Sequence, residues 1–286
     1  MKVLAANLIA VVGGTTYRAR LRLKDIEIMP MSDTLKIESL RNFRTRTGTD
    51  IRQIDGFTVN VTAELSPDVF ELYMRLICPT QVLNVYVPKD VNTVAEKLSY
   101  EIQTEVGTYL IPEGYISDMK INANVKQIPT ISVSSQHFGT ITTATLTNLT
   151  AQNFMNPFKM ALRYIKPDDT VTSLPSSSFD VTISSSLECI QNVGNTFVCY
   201  SQDLTIDGKA SAIHAGTYNS TLEEYFYNNT DFGLEFYYND GTYIRKITFP
   251  RVRINNFDKY VDIKMIEFGF VSSYVSTKYI LQYANS

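Results

Sequence analysis

Acid–base or metal chemistry in this chain would have to start from its two histidines, His137 and His214. Imidazole is the side chain whose ordinary pKa lies closest to neutral pH. Neither histidine has an Asp or Ser neighbour at a catalytic spacing, so both read as structural or surface residues. The carboxylate pairs Asp168-Asp169 and Glu223-Glu224 are adjacent in sequence. Adjacent residues point apart, so neither pair is a prepared acid–base couple. Asp168-Asp169 reads as a solvated turn. Glu223-Glu224 suits the first turn of a helix, where the dipole favours negative charge. Gly-x-Ser-x-Gly, phosphate-loop, His-Glu-x-x-His and Cys-x-x-Cys patterns do not occur. The chain is therefore not expected to be an enzyme, and no catalytic, cofactor-binding or metal-binding residue is assigned.

Cys78, Cys189 and Cys199 are too few and too scattered for a disulfide framework or a zinc site. Cys189 and Cys199 could face each other across a hairpin, but buried free thiols are the expectation. The one charge cluster is Arg41, Arg44, Arg46 and Arg52, with Phe43 interleaved. Such a cluster could contact phosphate or the acidic residues of a protein neighbour. Asp50 and Asp55 dilute it, and the matching stretch of the second half, residues 188–207, has no arginine. A protein neighbour is the expectation.

The elements that would carry these residues are mostly strands. Tyr (18) and Phe (15) are plentiful among 286 residues, and 44% of the chain is hydrophobic. That is enough to bury two cores of ordinary domain size. Net charge is −3, which gives no bulk attraction for a polyanion. No stretch reaches the roughly 20 apolar residues of a spanning helix. The apolar run after Lys2 is broken by Asn7 and lacks a cleavage pattern, so it reads as an N-terminal arm or edge strand. Residues 17–23, 35–40 and 57–65 alternate as half-buried strands. Residues 41–53 read as a long loop. Ser66-Pro67 opens a helix over 66–77, and 220–229 reads as a second. Residues 139–156, rich in Thr and Asn, suit a linker that pairs in part as an edge strand. The stretch 167–178 reads as a loop.

Two tripeptides recur: Ile54-Asp55-Gly56 as Ile206-Asp207-Gly208, and Gly107-Thr108-Tyr109 as Gly241-Thr242-Tyr243. Around them, Tyr100-Glu101-Ile102 faces Leu234-Glu235-Phe236, and Lys120-Ile121-Asn122 faces Arg253-Ile254-Asn255. Strand, helix and strand follow in the same order each time. The expected fold is mainly β, with two tandem β-sandwich or barrel domains related by internal duplication, each with one short helix. The first spans 1–150 and carries an insertion near 78–97 on its outside. The second spans 151–286. Long strand pairs over 116–133 and 252–271 close the two units.

This order resembles the phage tail-tube family, in which a β-sandwich with one helix and a long early loop ends in a hairpin that lines a tube. The resemblance lies in the loop 41–53, the helix 66–77 and the closing strands 116–133, repeated over 188–205, 220–229 and 252–271. It implies a structural virion protein of the tail, made in the host cytoplasm and without a cofactor. Its partners would be further copies of itself, a tape-measure protein, tail-end proteins and, in a contractile tail, a sheath. DNA would pass through without specific binding and no membrane would be involved. Two units per chain let three chains form a pseudo-hexameric ring, and stacked rings form a tube. On this reading Arg41, Arg44, Arg46 and Arg52 make ring-to-ring contacts. Lys120, Asn122, Asn124, Arg251, Arg253 and Asn255 line the channel, neutralised by Asp118, Asp258 and Asp262. The alternatives are a surface carbohydrate-binding adhesin, another tail or baseplate ring protein, or an enzyme with a pocket around His137 or His214.

Overall fold

Strands β1 (Val3–Val12), β2 (Thr15–Leu21), β3 (Leu23–Leu35) and β4 (Ile51–Glu64) lead into helix α1 (Pro67–Ile77). Short strands β5 (Thr80–Val82), β6 (Val85–Val87) and β7 (Thr93–Val94) precede β8 (Lys97–Thr104), β9 (Thr108–Asn124), β10 (Thr130–His137) and β11 (Thr142–Thr143). The second half holds β12 (Met160–Ile165), β13 (Val171–Leu174), β14 (Ser176–Gln191), β15 (Phe197–Ile213), α2 (Thr217–Tyr227), β16 (Phe232–Asn239), β17 (Ile244–Asp262), β18 (Met265–Ser272) and β19 (Gln282–Asn285). The computed structural model describes residues 3–35, 51–191, 197–213, 217–262, 265–273 and 281–285. It is 66% strand, hydrogen-bonded into one large antiparallel sheet consistent with the β-sandwich or barrel class.

Local chemistry explains several of these elements. Gly13 and Gly14 take φ of +56° and +79°, which lets β1 turn tightly into β2. β1 is then paired on both edges, by β2 and β8, so residues 5–10 are all buried. This corrects the reading of the N-terminal run as an arm or edge strand: a continuous apolar run fits a central strand equally well. Pro67 starts α1 after the extended Ser66, whose hydroxyl donates to Asp68 Oδ1 (2.5 Å) and not to the backbone. Val69, Phe70, Leu72, Tyr73, Met74 and Leu76 then bury nearly the whole circumference of the helix. The Ser- and Asp-rich stretch 167–178 contains strand β13 and the start of β14, so it is not simply a loop.

The ladders run in the same order in both halves. In the first, β2 pairs β1, then β8, β9, β10, β4 and β3 follow in space. In the second the order is β13, β12, β16, β17, β18, β15 and β14. Two irregularities also match, although the break in β17 between Asp258 and Asp262 has no counterpart in the β9–β10 ladder. Tyr100 pairs Ile111 and the next pair is Leu98–Gly114, skipping Pro112; Leu234 pairs Phe249 and the next is Phe232–Val252, skipping Pro250. A second bulge skips Ser117 on β9 and Asn255 on β17. A proline cannot donate to a ladder, which accounts for the first bulge in each half. The recurring tripeptides fall on equivalent elements, β4 and β15 and the β8–β9 and β16–β17 hairpins, but Ile-Asp-Gly is out of register. Gly56 pairs Met31 while Gly208 pairs Val181, and Val181 corresponds to Ile28. Lys120 matches Asp258 rather than Arg253, because the bulges fix the register.

The halves join edge to edge, through β9 and β14 over Asn124↔Ser178 to Asp118↔Ser184. The insertion near 78–97 crosses this seam and does not lie on the outside of one domain: β6 pairs β19 at Tyr86↔Tyr283, and β7 pairs β15. α1 also sits at the seam. Phe70 packs 6.1 Å from Phe236 and 5.9 Å from Tyr283 between ring centroids. Glu71 accepts from Arg245 (2.7 Å), which is only 7% exposed, and from Asn285 (2.8 Å).

Candidate functional site: a polar sheet face crossing both halves

Because β9 pairs β14, the strands β3, β4, β10, β9, β14, β15, β18 and β17 form one continuous series. Side chains alternate across a strand, so the series has two faces. One is core: Val61, Val133, Ile121, Val181, Ile206, Phe268 and Ile254 are all buried. The other is rich in hydroxyls and amides. One cross-strand row reads Thr62, Ser132, Lys120, Thr182, Asp207, Val271 and Arg253. The next holds Asn122, Asp180 and Lys209, with the Asn122 amide donating to Asp180.

Lys120, Asn122, Asn124, Arg251 and Arg253 therefore alternate with buried neighbours on this face, and Asn255 is the extra residue of a bulge. Arg253 is held by Asp231 (3.0 Å), beyond the end of α2, and the side chain of Asp262 lies outside the described residues. The carboxylates Glu27, Asp118, Asp180, Asp207 and Glu267 on the face narrowly outnumber its cations Lys120, Lys209, Arg251 and Arg253, of which Arg253 is neutralised by Asp231. The expected ring-contact residues Arg41, Arg44 and Arg46 lie outside the described residues. Arg52 lies in β4, but its side chain is also outside them.

His137 is placed as a core residue. Its Nδ1 donates to the Pro112 carbonyl (2.7 Å), which leaves Nε2 to accept from Ser135 (2.8 Å). Burial pushes its pKa down to about 4, against the pull of the Pro112 carbonyl. A Cβ on Gly114 would collide with the ring and with the Gln136 carbonyl, so the glycine makes room for the imidazole. Tyr73 and Tyr100 share a hydroxyl contact (3.2 Å) beside it, and burial raises both phenols, Tyr100 to about 12. His214 lies outside the described residues.

Two buried carboxylates escaped sequence reading, since their partners are distant in the chain. Glu101 accepts from Asn7 (2.8 Å) and from the amide and hydroxyl of Thr147 (2.8 and 2.9 Å). Burial pushes its pKa up, but these donors outweigh it and hold the carboxyl below its usual value. Its counterpart Glu235 is instead bound by Arg163 and Lys246, both at 3.1 Å. Cys189 and Cys199 face each other across the β14–β15 hairpin and form a disulfide, which corrects the expectation of free thiols. Cys78 is free and buried, and burial raises its thiol.

The cleft at the seam, lined by Met160, Leu174, Phe179, Phe236 and Ser177, has no titratable side chain in its wall. Among the described residues, no three His, Cys, Asp or Glu converge as a metal site, and no helix is long and apolar enough to cross a membrane. No protein-family model matches the chain, and the search of curated proteins finds none similar to it.

Proposed function

We propose that this chain is a structural subunit of a phage tail tube, or of a related injection machine, built as a duplicated unit. Three copies form a pseudo-hexameric ring, and rings stack around a channel that passes DNA. The observation that carries this reading is the continuous polar face shared by the two halves, with a core behind it. A conduit wall needs one wet and one packed side running unbroken across neighbouring units. An acidic, hydroxyl-rich surface repels the phosphate backbone, so a duplex can slide instead of being held. The matching ladders and bulges support two quasi-equivalent units per chain. The edge joining them is heterologous, β9 of one unit against the β3-type strand of the next, and such contacts propagate into rings or filaments. The tail partners and the virion location follow from the same reading.

Electron micrographs and solution mass of the purified full chain test it. Rings of three chains, stacking as concentration rises, are expected. A chain that stays monomeric under all conditions overturns it.

A further inference from the structure

Asn7, Arg20, Glu101 and Thr147 meet where the connector between the halves crosses strands β2, β1 and β8. Ala6 and Leu8 belong to the core, so Asn7 between them faces the other way. It is nonetheless fully buried, because the connector lies over it.

Two groups that could react share one carboxylate there. Glu101 Oε1 accepts from the Thr147 hydroxyl (2.9 Å), and Oε2 accepts from the Asn7 amide nitrogen (2.8 Å). The same amide nitrogen donates to the Thr147 carbonyl, and the Thr147 backbone amide donates to Oε2, both at 2.8 Å, so the threonine is fixed beside the side-chain amide. Across the amide, Arg20 Nη1 donates to Asn7 Oδ1 (3.1 Å). A hydroxyl on a carboxylate base, next to an acyl oxygen held by a cation, is an arrangement suited to acyl transfer. The fold does not require it. Ladder register puts Arg163 and Ser173 of the second half at the places of Asn7 and Arg20, and ion pairs alone satisfy Glu235 there.

We propose that Thr147 and Asn7 react with each other to form an intramolecular ester. Glu101 takes the hydroxyl proton as Thr147 Oγ1 attacks Asn7 Cγ. The charge that develops on Oδ1 meets the Arg20 guanidinium. The carbon–nitrogen bond then breaks, Glu101 passes the proton to the leaving nitrogen, and ammonia departs. One C–O bond replaces one C–N bond, nothing is oxidised or reduced, and no co-reactant is needed. Burial pushes the Glu101 carboxyl up, but its donors outweigh this and keep it a weak base. Each chain reacts only once, so a slow step suffices. Loss of ammonia to solvent draws the reaction forward, and burial of Asn7 shields the ester from water. The two residues lie 140 apart in the chain, so the bond closes the first half into one covalent loop.

The intact mass of the purified full chain, measured after denaturation, tests this. A species one ammonia lighter than the sequence is expected to accumulate once the chain has folded. Trypsin should then release residues 3–18 and 127–159 as one branched fragment, since it cuts after Lys2, Arg18, Lys126 and Lys159. Hydroxylamine, which cleaves esters and spares ordinary amides, should split that fragment in two. Glu101→Gln and Thr147→Val should keep the full mass, whereas Thr147→Ser, which retains a hydroxyl, should still lose ammonia. A folded wild-type chain that keeps its full mass on prolonged incubation overturns the ester and leaves the four residues as a hydrogen-bonded pin. A lighter species from which 3–18 and 127–159 are recovered separately overturns it as well. Neither result bears on the ring reading, which rests on the polar face.

Discussion

Strands β3 and β14 occupy the same place in the two halves, yet β14 is paired on both edges and β3, among the described residues, on one. Helices α1 and α2 differ too: the first is clamped between the halves, whereas the second buries Leu222 and Tyr225 and leaves Tyr227 exposed. The same topology therefore appears once in an interior setting and once at a boundary. The side chains have followed. Where β14 presents Phe, Val and Ile to the core, β3 presents two isoleucines and a proline, with Lys24, Asp25 and Glu27 along its exposed stretch. Charge and proline are what keep a bare edge from indiscriminate pairing.

The strongest way to break the comparison is at the clamp. Glu71→Ala should strand the buried Arg245 guanidinium and cost about 3 kcal/mol. Denaturant unfolding measures it. A cost below about 1 kcal/mol would mean that edges and apolar contacts alone hold the halves together.

Acid should separate the halves almost as strongly. An unfolded histidine titrates near about 6.5, whereas folded His137 does so at about 4. The buried neutral form is fully compatible with the fold above the unfolded value. Stability falls as pH drops from about 6.5 to about 4, by up to about 3 kcal/mol, and the loss levels off below. The matching position in the second half is Ser272, which cannot titrate there. Hydrogen exchange at pH 4.5 should therefore open β10 before β18, and His137→Gln should flatten this limb. Equal opening of both strands would count against it.

Smaller effects sharpen the contrast between strands. Val181→Ala should cost about 2 kcal/mol, and Ile28→Ala less than about 1 kcal/mol in the monomer, although isoleucine loses more atoms. Thermal melts of the two variants decide it, and equal losses would mean that β3 is already covered. Between these two losses, Tyr100→Phe removes the buried hydroxyl shared with Tyr73 and should cost about 1 kcal/mol.

Much of the fold could be read from the residues. The alternation over 57–65 and at Lys120, Asn122 and Asn124 assigns faces correctly, because one side of each strand is buried. Ser66-Pro67 marks the start of α1. What could not be read depends on distance along the chain. Asn7 and Glu101, Glu71 and Arg245, and Tyr86 and Tyr283 meet only after the sheet has folded over. The insertion near 78–97 carries no sign in its own composition that it bridges the seam. Repeated tripeptides misled for a related reason: connections differ in length between the halves, as in the longer turn after Tyr237↔Lys246 than after Gln103↔Thr108, so identical residues fell out of step while dissimilar ones, such as Leu98 and Phe232, hold equivalent places.

The connector between the halves has a kinetic consequence. β11 pairs β9, Thr147 is pinned to Glu101, and Arg22 donates to the Gln152 carbonyl (2.8 Å), so the segment is laid down along the first half. Its slack is consumed before the second half begins. The inner seam then forms at a rate set by local effective concentration, independent of how many copies are present. In the ring proposed above, only the remaining seams would need encounters between separate molecules. Six units would then assemble as a three-body process, whose nucleation should depend far less steeply on protein concentration than that of six free units.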